Sequence, residues 1–533
     1  MFSLKIKIIY FFIGFSCLSI WAQNNAAAKP RLLIGIFIDG LQQKHIDLLW
    51  NYFDPNGLKK IISQGANCRN VSYNIVSGGN ASDIASVITG TTPYYNGVSG
   101  NYFYNRAEEE IQSIIQDDDQ FGIGTKQTLS AHKLLSSSIT DEIMLANAGK
   151  SKTYAIALNA EEAIMLGGHT AKSVCWIDDQ NLKWISTGYY SEGLSRWADE
   201  MNVSTFNNYT SRTWGPLYNI NTYLNKPTHE DKKWGFYYDP KSLKSKNNQA
   251  TILKNTPAVN NLVSDLAIKT LVEEHLGLNL NPDVLMLNFT VKVPNEKTQT
   301  MNSAEKEDIY LRLDKDIQNL LQKIDINVGL DKTLIFVFGN QTPLHTPTEL
   351  GENKIPAGYF NADRTMALLS SYLMAIYGTE KWILGYYAKN IYLNKEKLIQ
   401  KKINITEFQN TVIEFLQDFE GIRSAYSSTQ ILQNGNSEGE LYRIQQSSSK
   451  KIMGDVVFTL MPGWFEVDAR SNFVGESNAL MAYTPVYFYG WKIKSQIIST
   501  SYQAIDIAPT ISRIMDTAMP NACIGKPIVE IIP

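Results

Sequence analysis

The chain is short of the residues that build metal sites and disulfide frameworks. It has 533 residues but only 6 His and 4 Cys. Cys17 sits near the start, which leaves Cys68, Cys175 and Cys523 for the body of the protein. Three thiols allow at most one bridge within the chain, so the fold must rest on an apolar core. Whether any pair joins is left open by the spacing. Basic excess is also missing. A net charge of −3 gives no sign of a nucleic-acid surface. No apolar run of about 18 residues follows the first segment, so no transmembrane segment is expected in the mature chain. What remains, 44% hydrophobic and 19% charged, is globular composition and not disorder.

The start reads as an export signal. Lys5 and Lys7 precede an apolar run from Ile8 to Trp21, and Ala22 follows. That is the n-region, h-region and small-residue cleavage pattern, so residues 1–22 are expected to be a signal peptide and the protein to be exported, to the periplasm or the outer membrane. Cys17, between "GFS" and "LSIW", is a poor acylation site.

Further on, buried-strand runs alternate with helical patterns. "RLLIGIFIDG" (Arg31 to Gly40), "TYAIAL", "VLMLNF", "TLIFVF" and "VYFYGW" are the strand candidates. Ile309, Leu313, Ile317, Leu320 and Ile324 form the apolar face of a helix. In "DIAPTISRIM", Pro509 suits a first helical turn. The pattern predicts one α/β domain over residues 30–533, with a largely parallel central sheet flanked by helices. Two stretches break the rhythm, about 176–250, rich in Trp and Tyr, and about 357–475. Both are expected to be insertions folding as caps.

In such sheets the chemistry lies at the carboxyl ends of the strands. Asp39 closes the first strand, as a metal-ligand candidate or a plain Asp-Gly turn. "TVKVPNEKT" after the third run has neither Asp nor His. "GNQTPLH" after the fourth puts Asn340 and Gln341 in the turn, and "LMAYTP" before the fifth ends near Tyr483. A helix begins in "SGGNASDIASVITGTTP", with Asn80 where a nucleophile would be placed.

Eight stretches in order, among them "GIFIDGL", "SVITGTTPYYNGVSGN", "GGHTA", "WIDD", "YLRLDKDI" and "PNACIGKPI", resemble the alkaline phosphatase superfamily. The similarity is greatest to exported bacterial alkaline phosphatases related to the type I phosphodiesterase/nucleotide pyrophosphatase group, and it spans roughly residues 31–530. The resemblance implies two zinc ions on Asp and His ligands and a Thr or Ser nucleophile nine residues before the Thr of the "TG" turn. Here that place is Asn80, whose amide has no ionisable hydroxyl. Asp39 keeps its place. The Asp-x-x-x-His falls in "TVKVPNEK" and the Asp-His-Gly on Asn340, Gln341 and Thr342, while the last His falls near Tyr483. The Lys and Arg of the phosphate clamp fall on Asn159 and Glu161. Asn101, a supporting residue, is retained.

The other nucleophiles and histidines do not fill the gap. Ser77, Ser82 and Ser86 lie at the wrong spacing from Thr89, and Ser82 with Asp83 suits the first turn of a helix. His45, following the first strand, is expected at the surface. His132, His169, His229 and His275 are scattered, and only His345 with Asp39 forms a pair worth inspecting near the old site. The expectation is a catalytically inactive member of the superfamily, with no cofactor, serving as a binding or scaffold subunit for a protein partner in the cell envelope. The rival readings are an atypical or metal-dependent hydrolase of phosphate or sulfate esters, and a binding protein for a small ligand in the relic cleft. The Trp- and Tyr-rich insertion is the expected partner surface, with Trp197 and Trp214 as candidate contacts.

Overall fold

The computed structural model describes residues 29–180, 182–204, 208–209, 211–228, 230–239, 253–294, 302–340, 345–433, 435, 437–467, 473–475 and 482–533. The expected export signal, Gln341, Thr342 and His229 lie outside the described residues.

The central strands are β1 (Leu32–Asp39), β2 (Ala66–Tyr73), β3 (Gly122–Ile123), β4 (Thr153–Ile156), β5 (Ser173–Ile177), β6 (Trp184–Thr187), β7 (Asp283–Thr290), β8 (Thr333–Gly339), β9 (Ala482–Gly490), β10 (Gln496–Ile498) and β11 (Tyr502–Gln503). They form one eleven-stranded sheet in the order β10-β2-β9-β8-β1-β7-β4-β5-β6-β3, with β11 beside β2. The run β8-β1-β7-β4-β5 is parallel throughout. Only β9 and β6 run against the rest. For β9 the reason is topological. The chain leaves β8 at its carboxyl end, makes the long excursion of residues 345–475, and re-enters the sheet from that same end.

β1 is the axis of the fold, and all eight of its residues are buried. Leu32, Ile34, Ile36 and Ile38 face one apolar layer, built with α3 (Pro257–Glu273) and α4 (Ala304–Asn327). Leu33 and Phe37 face the other, built with α1 (Asn80–Thr89), α2 (Ala160–Gly167) and α5 (Ile507–Met515). This two-faced burial explains the unbroken apolar run, because neither face meets water. A Cβ at Gly35 would lie 2.5 Å from Met286 Sδ and 2.6 Å from Phe336 Cζ, so a larger residue would force those side chains to move.

The excursion after β8 builds a separate layer. A four-stranded sheet carries Ile383–Tyr387, Asn390–Leu393, Val456–Leu460 and Ile422–Ser427, and a three-stranded sheet carries Gly358–Asn361, Trp464–Val467 and Phe473–Gly475. Helices Ala362–Tyr377 and Ile405–Gln417 share its core with Leu369, Phe408 and Phe458. Within the 176–250 stretch, several of the expected cap's aromatics lie in the main domain. Trp176 and Trp184 sit in β5 and β6 of the central sheet, and Trp214, Phe236 and Tyr238 are buried in the main core.

Candidate functional site

The carboxyl ends of β1, β7 and β8 converge with the amino ends of α1 and α2, in the crevice where open α/β sheets place their chemistry. α1 starts sharply. Gly79 has φ +130° and ψ −179°, and a Cβ on it would meet Asn101 Oδ1 at 2.6 Å. Asn101 Oδ1 accepts the Ala81 N–H at 3.0 Å and so closes the exposed helix end. Asn80, the first residue of the helix, points into the crevice.

From there a continuous polar chain crosses the crevice. Asn340, buried after β8, accepts the Gly40 N–H at 3.0 Å and donates to Asp39 Oδ1 at 3.2 Å and to Asn80 Oδ1 at 2.8 Å. Asn80 Nδ2 donates to Glu162 Oε1 at 2.6 Å. Asn159, the N-cap of α2, donates to the same oxygen at 3.2 Å. Its own Oδ1 accepts from Lys254 Nζ at 2.9 Å, and Lys254 pairs with Asp179 at 2.6 Å. At the other end, Lys292 Nζ lies 2.9 Å from Asp39 Oδ1. The sequence runs Lys292, Asp39, Asn340, Asn80, Glu162, Asn159, Lys254, Asp179: an ammonium on each terminal stretch and neutral amides between the carboxylates.

The acidic members of α2 are held toward their neutral forms. Burial raises Glu162; the hydrogen bond from Asn80 opposes this, and the charge of Asp39 adds to it. Burial and then the neighbouring Glu162 push Glu161 up to about 7. Two adjacent carboxyls in this setting titrate as a pair.

The residues expected in the site divide cleanly. Asp39, Asn80, Asn159 and Asn340 are joined in one chain, and Asn101 supports Asn80 from below. Glu161 is half-buried beside it. Tyr483 is 56% exposed and takes no part in the chain. Neither the His345 ring nor Asp39 serves the other: His345 Nδ1 lies 3.7 Å from Glu349 Oε2. His45, expected at the surface, is 1% exposed and stacks on Tyr310; burial, Lys306 and Lys44 lower it to about 3, so it stays neutral. Ser82 Oγ donates to Gly79 O at 2.8 Å and Ser86 Oγ to Ser82 O at 2.7 Å, so both serve the helix. Asp83 lies in the first turn of α1, as expected, and is buried. Cys68, Cys175 and Cys523 are free thiols.

Sequence reasoning missed Glu162, Lys254 and Lys292. Lys292 was visible inside "TVKVPNEK", but as a gap in a ligand pattern rather than as a cation in its own right. Lys254 comes from a distant segment and brings a positive charge to the region where the resemblance had shown none.

Two zinc ions do not fit these residues. Zinc takes three or four Cys, His or carboxylate ligands at about 2.0–2.3 Å. Around Asp39 stand an amide and an ammonium, and an ammonium repels a divalent ion. Among the described residues, no group of three or more His, Cys, Asp or Glu side chains could hold a metal.

The doubly covered, mostly parallel sheet with a polar crevice at its carboxyl ends is a doubly wound α/β architecture. The chain belongs to the type I phosphodiesterase/nucleotide pyrophosphatase family, whose profile matches residues 33–473. It is 28% identical over 524 residues, 95% of each chain, to a Myroides odoratus protein named calcium-transporting ATPase. It is 23% identical over 525 residues, 96% of each chain, to alkaline phosphatase PafA of Elizabethkingia meningoseptica. The crystal structure of wild-type PafA superposes with a TM-score of 0.86 at 24% identity, covering 96% of this chain and all of that one. No helix among the described residues is long and apolar enough to cross a membrane.

Proposed function

We propose that this is a non-catalytic member of the family, exported to the cell envelope, where it serves as a binding or scaffold subunit. The observation that carries the reading is the continuous polar chain from Lys292 to Asp179. Hydrolysis of a phosphate ester in this crevice calls for an activated hydroxyl and a cationic site for the phosphoryl oxygens. Asn80 supplies neither, and the ammonium groups at the two ends of the chain, Lys292 and Lys254, are paired with Asp39 and Asp179. The Glu162 carboxyl, which accepts from Asn80 and Asn159, lies where a phosphate dianion would have to sit. Function is argued from the site and not from the fold, and this site offers groups for binding rather than for turnover.

Relatives named as alkaline phosphatases make phosphate-ester hydrolysis the alternative. The test is direct. Purified protein is expected to retain less than about one zinc per chain after dialysis, since the ligand types are wrong. It is expected to turn over neither aryl phosphate monoesters nor diesters above background, and Asn80→Thr alone gains nothing, because the hydroxyl returns without a group to ionise it. Two tightly held zinc ions, or wild-type turnover abolished by Asn80→Ala, would overturn the reading.

A further inference from the structure

Between the buried Trp214 and Tyr238, the chain winds around an open groove of about 1060 Å³. Apart from one short 3-10 turn, its walls are irregular backbone, yet they are firmly held. Asp308 accepts from Trp214 Nε1 at 2.7 Å, from the Leu217 N–H at 2.6 Å and from the Tyr223 hydroxyl. Glu307 accepts the N–H groups of Leu224 and Asn225 at 2.9 and 2.7 Å, and Glu305 that of Thr228 at 2.9 Å. All three carboxylates are buried in the first turns of α4. On the far side, Asp231 and Gly235 exchange backbone hydrogen bonds of 2.8 and 2.7 Å. A recognition surface ordered in advance avoids much of the entropy cost of binding.

The groove presents aromatic rings and positive charge together. Trp234 is 52% exposed, Tyr218 45% and Tyr237 43%. Lys233 Nζ lies 4.6 Å from the Trp234 ring centroid, and Lys315 Nζ 5.5 Å from that of Tyr218. Lys226, Lys232 and Lys233 line the groove and form no ion pair among the described residues. Of the two acids alongside, Asp231 is engaged: its Oδ1 accepts the N–H groups of Lys233 and Trp234, both at 2.8 Å.

We infer that this groove docks an extended acidic segment of a partner protein. Aromatic or aliphatic side chains of that segment seat on Trp234, Tyr218 and Tyr237, and its carboxylates meet Lys226, Lys232 and Lys233. Exposed Trp and Tyr on a hydrogen-bonded loop are among the groups that dominate protein interfaces, and lysines beside them that form no ion pair among the described residues select for the opposite charge. The inference rests on the binding-subunit reading for the existence of a partner, but it concerns a surface on the loop that packs against α4.

The test is fluorescence anisotropy of the full exported chain with a labelled peptide of about twelve residues alternating Glu and Phe. Saturable binding is expected, weakening with added salt. The matching Lys/Phe peptide is expected not to bind. Trp234→Ala with Tyr237→Ala should weaken the affinity by about tenfold or more, the loss typical of central aromatic anchors. Should that variant fail to fold, Lys232→Glu with Lys233→Glu, both exposed, should give a comparable loss in a protein of unchanged melting temperature. Equal binding of the two peptides would overturn the proposal. So would indifference to the charge reversals, or preference for an acidic polysaccharide such as polygalacturonate. None of these readouts involves ester hydrolysis. Failure here leaves the non-catalytic reading standing, and phosphatase turnover would end that reading without touching the groove.

Discussion

At Asp39 an ammonium group neutralises a largely buried carboxylate. Removing Lys292 alone leaves that charge uncompensated, whereas removing both partners does not. Lys292→Met is therefore expected to destabilise the protein by about 1 kcal/mol, less than for a fully buried pair because the lysine side chain is 33% exposed. Adding Asp39→Asn should recover part of the loss, read as a coupling energy in a urea-denaturation double-mutant cycle. His169 offers a second test at this scale. Its Nδ1 lies 2.8 Å from Asp141 Oδ2 and its Nε2 2.9 Å from Leu134 O, two acceptors that favour the doubly protonated ring. The Asp141 hydrogen bond, against burial and with the aspartate charge, raises His169 above 6.5. Burial raises Asp141, but His169 and Ser138 outweigh it and hold the carboxyl below 3.8. A raised histidine stabilises fully below its ordinary value and loses that contribution as pH rises through the raised one. A lowered aspartate contributes above 3.8 and loses it as pH falls through the lowered value. The pair should thus add about 1 kcal/mol between those limits. His169→Gln should flatten the fall in melting temperature just above pH 6.5.

Among the elements, α4 does the most to shape the surface. Its first turns carry Glu305, Glu307 and Asp308, which bind the 214–228 segment through backbone N–H groups and two aromatic side chains. Arg312 Nε, one turn on, lies 2.6 Å from Asp308 Oδ2 and balances its charge. Asp308→Ala strands several buried donors and the arginine together, so a cost of about 3–5 kcal/mol is expected. Hydrogen exchange should show Leu217, Leu224 and Asn225 losing protection while β1 and β7 keep theirs. Asp308→Asn, which retains acceptor capacity at its Oδ1, should cost less.

The whole molecule is held by apolar layers on both faces of one sheet, with no bridge among its described cysteines. Burial pushes the Cys68 thiol up to about 12 and that of Cys175 up to about 11, with Glu530 adding at Cys68. Thiols of that kind react only when the sheet opens. Native protein at pH 8 is expected to leave both unmodified by iodoacetamide, and their labelling in urea should follow the global unfolding curve. Peptide mapping of the alkylated protein checks this. Since paired lysines and amides occupy the crevice, EDTA should leave the melting temperature unchanged. A fall of several degrees on chelation would mean that a metal contributes to the fold.

Local chemistry is enough to read several features from the sequence alone. The apolar runs of β1, β7 and β8 announce strands buried on both faces, because only such strands dispense with polar alternation. The helix from Ile309 to Ile324 declares its face by periodicity. Asn80, Asn159 and Asn340 are legible as amides in places where the family resemblance implies reactive or ligating groups. The partners of those amides are not legible. Lys292 meets Asp39 across more than 250 residues of chain, Lys254 reaches Asn159 from a distant segment, and Glu162 rather than Glu161 bonds Asn80 because successive positions in the first turn of α2 point in different directions. Each depends on which helix packs where, and residue order alone does not encode that distance. The same holds for Trp214, expected as a contact and found buried on Asp308, and for Trp234, whose exposure follows from the Asp231–Gly235 turn that lifts it off the core. Residue type and spacing set the elements and the character of the crevice; only the packing of the layers decided which charges meet inside it and which aromatics remain outside.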